Sequence, residues 1–276
     1  MILKRNLKLW YNENNEKEKM LEEYIKELSE YYKKDTESGI SKFVEYSHNI
    51  LSLIKKEHGE VIYSSKDTLK KGYYYFLGLN PGGEGEITNA DGEVVENFIG
   101  KHLDNFPKRT SNAFFDEKWD IKIRTKNGDT KGRTYSIGEN PLQLRVKYLF
   151  NEILKSELRD VFATNLIFKT TNNSDSLNFG LAGLCWGVHL LALSIVQPDV
   201  IITCGNNQDK SAFFFISDLY NGVVKTHKLK GTFCIKESRI TILNRPTLLI
   251  GLPHLSLFEI RNNEDFKEKF LRIIGR

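Results

Sequence analysis

Cysteine is scarce in this 276-residue chain. There are three residues, Cys185, Cys204 and Cys234, widely spaced and with no C-x-x-C pair. That argues against a disulfide framework, a cysteine-built zinc site and a four-cysteine iron–sulfur cluster. No apolar run reaches the length that spans a bilayer. The N-terminus begins basic, turns polar at once and lacks the apolar stretch and small-residue cleavage site of a secretory signal, so a cytoplasmic location is expected. A strong charge of one sign is missing too: 40 Lys and Arg against 36 Asp and Glu leave a net charge of +4, too mild to identify a nucleic-acid binder alone. The glycine fingerprint of dinucleotide binders is absent, no Walker lysine follows Gly82-Gly83, and no nucleophile elbow announces a Ser-His-Asp hydrolase. Hydride transfer and nucleotide phosphorylation find no support, and neither a cofactor nor a metal is implied.

What is present is enough apolar sequence for a real core, 40% of residues, arranged in two periodicities. Residues 13–34 carry Met20, Leu21, Tyr24, Ile25, Leu28, Tyr31 and Tyr32 at helical spacing, and Gly39 is expected to break that helix. A second helix is expected over about 40–57, with Gly59 just past its end. Four short apolar runs then read as strands buried on both faces of a parallel sheet. They lie at 72–79, 160–165, 199–205 and 247–254. Helical patterns separate them at 142–158, 181–196, 211–220 and 265–274. This alternation predicts an α/β fold, a three-layer α/β/α sandwich around a central, mostly parallel four-stranded sheet. One domain over 1–276 is expected. Residues 1–71 would be an N-terminal helical extension and 84–140 an insertion. Inside the insertion, 121–135 reads as a β-hairpin turning at Asn127-Gly128, and 222–244 offers further strand candidates.

Ligands of open α/β sheets bind beyond the C-terminal strand ends. Here those ends carry Asn80 with Gly82 and Gly83, then Asn165, then Gly205 with Asn206 and Asn207, then His254 with Ser256. Carboxamides and an imidazole are thus expected on one edge. His189, inside an apolar helix with no ligand partner in view, is expected to be structural.

The motif Phe76-Leu77-Gly78-Leu79-Asn80-Pro81-Gly82 resembles the first motif of the uracil-DNA glycosylase superfamily, in its mismatch-specific and single-strand-selective branches. Gly251-Leu252-Pro253-His254-Leu255-Ser256 resembles the last, a His followed at +2 by Ser, although Leu255 stands where the family usually has Pro. Asn165 resembles the family's base-reading Asn. The resemblance runs from Gly72 to Ser256 in order and spacing. It implies a DNA glycosylase that hydrolyses the N-glycosidic bond of a flipped uracil or 5-modified pyrimidine to leave an abasic site. Asn80 would hold the attacking water and His254 would stabilise the leaving base. Asn165 would pair with the base edge, and Phe98 (or Phe114 or Phe115) would stack on it. Gly82 stands where the strict uracil-specific branch has a blocking Tyr, so the C5 side is expected to be open. Leu255, Leu257 and Phe258 are candidates for a wedge in the base stack, and Ser256 and Gly205 for phosphate contacts.

Two basic segments fit a DNA partner, double- or single-stranded. The first holds Lys118, Lys122, Arg124, Lys126, Lys131 and Arg133; the second holds Lys225, His227, Lys228, Lys230, Lys236 and Arg239. A solvated hairpin face is the plain alternative for either. An open pocket and an insertion are also compatible with removal of modified phage bases in antiviral defence. A monomer is expected. The alternatives are a non-catalytic nucleic-acid-binding module of the same fold and a nucleoside hydrolase.

Overall fold

The computed structural model describes residues 15–82, 86–88, 94–124, 130–171 and 179–276. Two helices come first, α1 (Asn15–Lys34) and α2 (Thr36–Ile50). The break between them is Asp35, whose carboxylate caps the N–H groups of Glu37 and Ser38. Gly39 therefore does not end a helix; it lies in the first turn of α2. A Cβ there would stand 2.4 Å from the Tyr32 ring, so glycine is present for close packing of the two helices. α2 also stops at Ile50, short of the expected end, and the chain continues in turns.

The sheet strands are β1 (Tyr74–Gly78), β6 (Phe162–Asn165), β7 (Val200–Cys204), β8 (Val223–Lys228), β9 (Cys234–Ile242) and β10 (Arg245–Leu252). Their spatial order is β6-β1-β7-β10-β9-β8. The first four are mutually parallel, in the registers Gly78↔Asn165, Phe76↔Ile202 and Ile250↔Ile202. β9 and β8 then add antiparallel. The α/β expectation stands, but the four-stranded sheet is corrected to a mixed six-stranded one. The additional pair comes from residues 222–244, where apolar and polar residues alternate because one face is solvated.

Helices cover both faces. On one face, Tyr75, Leu77, Phe162, Ile201 and Leu249 pack with α1, α2, α6 (Phe179–Val196) and α7 (Ala212–Leu219). On the other, Tyr74, Phe76, Val200, Ile202 and Ile250 pack with α5 (Pro141–Lys147), the π-helical turn Tyr148–Ile153 that continues it, and α8 (Glu264–Ile273). α6 is apolar on nearly every side because it lies between the sheet and the pair α1/α2. Its Trp186 is 1% exposed. The N-terminal helices thus belong to the main core and are not an appended extension.

Residues between β1 and α5 form β2 (Glu86–Thr88) with β3 (Val94–Glu96), α3 (Ile99–Asn105), the short α4 (Ala113–Asp116), and β4 (Ile121–Arg124) with β5 (Thr130–Arg133). β4 and β5 pair antiparallel as the expected hairpin; its turn at Asn127-Gly128 lies outside the described residues. Among the described residues no helix is long and apolar enough to cross a membrane.

Candidate active site

The order β6-β1-β7-β10 sets Asn165, Asn80, Gly205 and His254 side by side along the C-terminal edge of the parallel strands. Neighbouring strands are about 4.8 Å apart, so the ends of β1 and β10 are separated by about 10 Å, the scale of one nucleoside.

Asn80 follows the end of β1 and is half-buried. Its amide nitrogen donates to the Pro81 carbonyl at 2.8 Å and to Thr171 Oγ1 at 2.9 Å. Both N–H donors are thereby used, and the polarity of the carboxamide is set: Oδ1 is left as the acceptor. The backbone of Gly82 bridges to Thr171, and a Cβ added at Gly82 would meet no atom within 4 Å.

Asn165 ends β6 and is 7% exposed. Its Oδ1 stands 1.9 Å from where a Cβ of Gly78 would be, so only glycine fits beside it. Asn165 is a neighbour of the Tyr63 hydroxyl, whose pKa burial raises well above its ordinary value. The backbone just beyond is pinned by His189, whose Nε2 meets the Leu166 carbonyl at 3.1 Å while Nδ1 meets the Tyr75 hydroxyl at 2.9 Å. Burial pushes the His189 pKa down to about 4, and this neutral, doubly bonded ring is structural as expected.

His254 follows the end of β10 and is exposed as a residue, while partial desolvation of its ring lowers its pKa. Nδ1 faces the Ser256 backbone N–H at 3.3 Å and the Ser256 hydroxyl at 2.6 Å. An Nδ1 that accepts from a backbone N–H carries no proton, so in the neutral ring the proton sits on Nε2. Gly205, at φ +96°, lies against the ring: its Cβ would be 3.6 Å from His254 Cδ2. The following turn is anchored by Arg145, which donates to the Leu255 carbonyl at 2.6 Å and pairs with Glu259.

The other expected residues divide. Phe98 is half-buried at the N-terminus of α3, its ring 4.9 Å from His58. It is next to Asn97, whose Nδ2 donates to Glu60 Oε1 at 3.1 Å. Phe114 is core, 5% exposed, and Phe115 is covered by the Arg159 guanidinium at 4.3 Å. Leu255 is fully buried, with its N–H on Cys204 Sγ. That corrects its expected role as a wedge, because a core side chain does not reach a base stack. Phe258, 6% exposed, is corrected for the same reason. Leu257 is 78% exposed. Ser256 is spent on His254, which gives it an orienting task that spacing did not suggest. Lys122 and Arg124 lie on β4; Lys126 falls outside the described residues.

Two features were missed. The first is a polar cluster on 58–64, the segment that runs antiparallel along the outer edge of β6 through Gly59↔Lys169 and Ile62↔Thr164. The Glu60 residue surface is partly open while its carboxyl is enclosed. It accepts from Asn97 Nδ2 at 3.1 Å and meets the Tyr63 hydroxyl. Burial, then the nearby Glu117, push its pKa up to about 7. The second is the turn between β8 and β9. Because β9 runs against β10, this turn lies at the same edge as His254. Phe233 packs on Phe258 at 4.7 Å, and Lys228 and Lys230 are exposed. A cavity of about 220 Å³ lined by Ile25, Gln197 and Arg245 opens at the opposite ends of β7 and β10, remote from these groups. A scan against protein-family models and a search of curated proteins find no match to this chain.

Proposed function

We propose that the protein is a monofunctional DNA glycosylase acting on a flipped uracil or 5-modified pyrimidine. The observation that carries this reading is the pairing of polarities at the ends of β1 and β10, which flank β7 on the same edge of the sheet. Asn80 is left with an acceptor oxygen by its two donated hydrogen bonds, and His254 is left with a donor Nε2–H by Ser256. Hydrolysis of an N-glycosidic bond needs that combination. A water held by Asn80 Oδ1 adds through its oxygen to C1′. The C1′–N1 bond breaks with its electron pair going to the base. The His254 N–H meets the charge that develops on the base oxygen. The proton lost by the water ends on the departing base. An amide is a poor general base, so the Asn80 task is positioning, and bases that leave readily as anions react best.

Asn165 ends β6 on the same edge, and a carboxamide, which carries both donor and acceptor, suits the Watson–Crick edge of a pyrimidine. The open space beside Gly82 suits substituents at C5, including those of modified phage bases, and half-buried Phe98 is the candidate to stack on the base. Leu257 and the Lys228–Lys230 turn flank His254 and suit contact with the duplex.

The test is incubation of the protein and its Asn80→Ala variant with DNAs carrying uracil, thymine mismatches, hydroxymethylcytosine or glucosylated hydroxymethylcytosine, as single strands and duplexes. Alkali-labile abasic sites and released base are the readout. Wild-type excision that falls by about a hundredfold or more in Asn80→Ala, with DNA affinity kept, supports the enzyme. Salt-sensitive binding with no abasic sites on any member supports a binding module instead.

A further inference from the structure

We propose that the cavity at the N-terminal ends of β7 and β10 binds a small aliphatic carboxylate, with the head of the ligand on Arg245 and its chain against Leu243 and the other apolar residues of the lining.

The cavity lies where three parts of the fold meet. α1 supplies Ile25, α6 supplies Leu193, and the β9–β10 hairpin supplies Ile242 and Leu243, while Pro198 stands just before β7. The volume of about 220 Å³ is the room of about seven water molecules, and a chain of about six carbons ending in a carboxylate takes the same room. Apolar walls of this kind hold the hydrocarbon part of a ligand, and a few polar groups fix its orientation.

The polar side chains of the lining are mostly spent. Ser194 Oγ donates to the Leu191 carbonyl at 2.7 Å, Gln197 Nε2 to the Ser194 carbonyl at 3.2 Å and Thr247 Oγ1 to the Arg245 carbonyl at 3.4 Å. Arg245 is the exception. Its Nε is enclosed and has no hydrogen-bond partner. Its Nη2 has a long bond to the Gln197 carbonyl, 3.4 Å, and a loose ion pair with Asp199, 3.7 Å. The Asp199 side chain is 56% exposed, and no other carboxylate pairs with Arg245 among the described residues. So long a pair, with its acid in water, contributes little. An enclosed N–H without an acceptor is costly, and a bound acceptor recovers that cost. Nε and Nη2 form one edge of the guanidinium, and that edge matches the two oxygens of a carboxylate.

The hairpin gives a second, independent reason. Ile242 and Arg245 are register partners, so Leu243 and Asn244 make a two-residue turn. Both have positive φ, 48° and 62°, the signs a type I′ turn requires. Asn is at home in that region. Leu is not, because its Cβ crowds the backbone there, and such turns take Asn, Asp or Gly. The side chain that bears this strain is also 37% exposed, so it returns little burial to the unliganded fold. A ligand chain packed on Leu243 supplies the missing burial and accounts for a strained apolar residue at the cavity wall.

The test titrates the whole protein, labelled at its Ile and Leu methyl groups, with sodium hexanoate, sodium acetate or hexanol. Methyl NMR and thermal melts are the readouts. Hexanoate is expected to shift the Ile25, Leu193, Ile242 and Leu243 methyls saturably and to raise Tm. Acetate, which lacks the chain, and hexanol, which lacks the charge, are expected to bind at least about tenfold more weakly. Arg245→Gln should lower hexanoate affinity by about tenfold. Leu243→Asn should lower it by about fivefold while raising the Tm of the ligand-free protein, so that loss of the site is not loss of the fold. Absence of saturable shifts with hexanoate overturns the proposal. So does hexanol binding as tightly as hexanoate, or an affinity that survives unchanged in Arg245→Gln or in Leu243→Asn.

Discussion

At the scale of single side chains, neighbours determine what each group of the candidate site can do. Ser256 holds His254 through a hydroxyl contact of 2.6 Å. Ser256→Ala removes that contact and leaves the ring held only by the longer backbone N–H bond of 3.3 Å, and kcat is expected to fall by about tenfold with little change in DNA affinity. Steady-state kinetics beside binding isotherms check this. Glu60 bears on stability. Its folded pKa, about 7, stands above the ordinary 4.5, so folding favours the protonated form. The stability this gives is complete below the ordinary value and is lost as pH rises through about 7, a difference of about 3 kcal/mol. Relative to wild type, Glu60→Gln should gain melting temperature between about pH 5 and pH 8, as thermal melts at each pH would read. The placement of Asn80, Asn165 and His254 at one edge was legible in the sequence because each closes an apolar run that forms a parallel strand. Glu60 and Tyr63 were not. They lie in an irregular segment with no period, and their partners Asn97, Arg109 and Glu117 come from elsewhere in the chain.

At the scale of elements, two close approaches show why glycine stands where it does. Gly78 and Asn165 are register partners on β1 and β6. A methyl at Gly78 would lie 1.9 Å from Asn165 Oδ1. Gly78→Ala is expected to displace the carboxamide and to reduce excision by at least the amount that Asn165→Ala does, with the fold kept; matched kinetics of the two variants test it. Gly39 packs α2 on α1, so Gly39→Ala is expected to cost about 1–3 kcal/mol through crowding against Tyr32, read from denaturant midpoints. The strands and helices were recoverable from apolar runs and helical spacing because burial on both faces imposes those patterns. The α1–α2 boundary was not. A glycine reads equally as a helix breaker and as a contact point, and the contact that decides is with a residue of another element. The two added strands were visible only as candidates, because alternation in 222–244 leaves their partner unspecified. The burial of Leu255 was hidden too, since a Leu in a loop after a strand is equally at home in a core or on the surface.

At the scale of the whole molecule, net charge says little and its placement says more. The turn bearing Lys228 and Lys230 reaches the edge that holds His254, while Lys225 and His227 lie farther along β8, beside Glu237. DNA affinity is expected to fall as salt rises, and exchanging Lys228 and Lys230 for Glu should weaken binding at low salt and flatten the salt slope by about two. Fluorescence anisotropy across a salt series decides this. The sheet itself has unequal borders. The 58–64 segment lies along the outside of β6, whereas β8 ends the other side with Val223 78% exposed and nothing beyond it among the described residues. Deuterium should therefore enter β8 first, by local fraying, and reach β1 and β7 only when the molecule opens as a whole. Asn80 hangs from one of those slowest strands. Its geometry then persists for as long as the protein stays folded, and the lifetime of a working site becomes the lifetime of the native state.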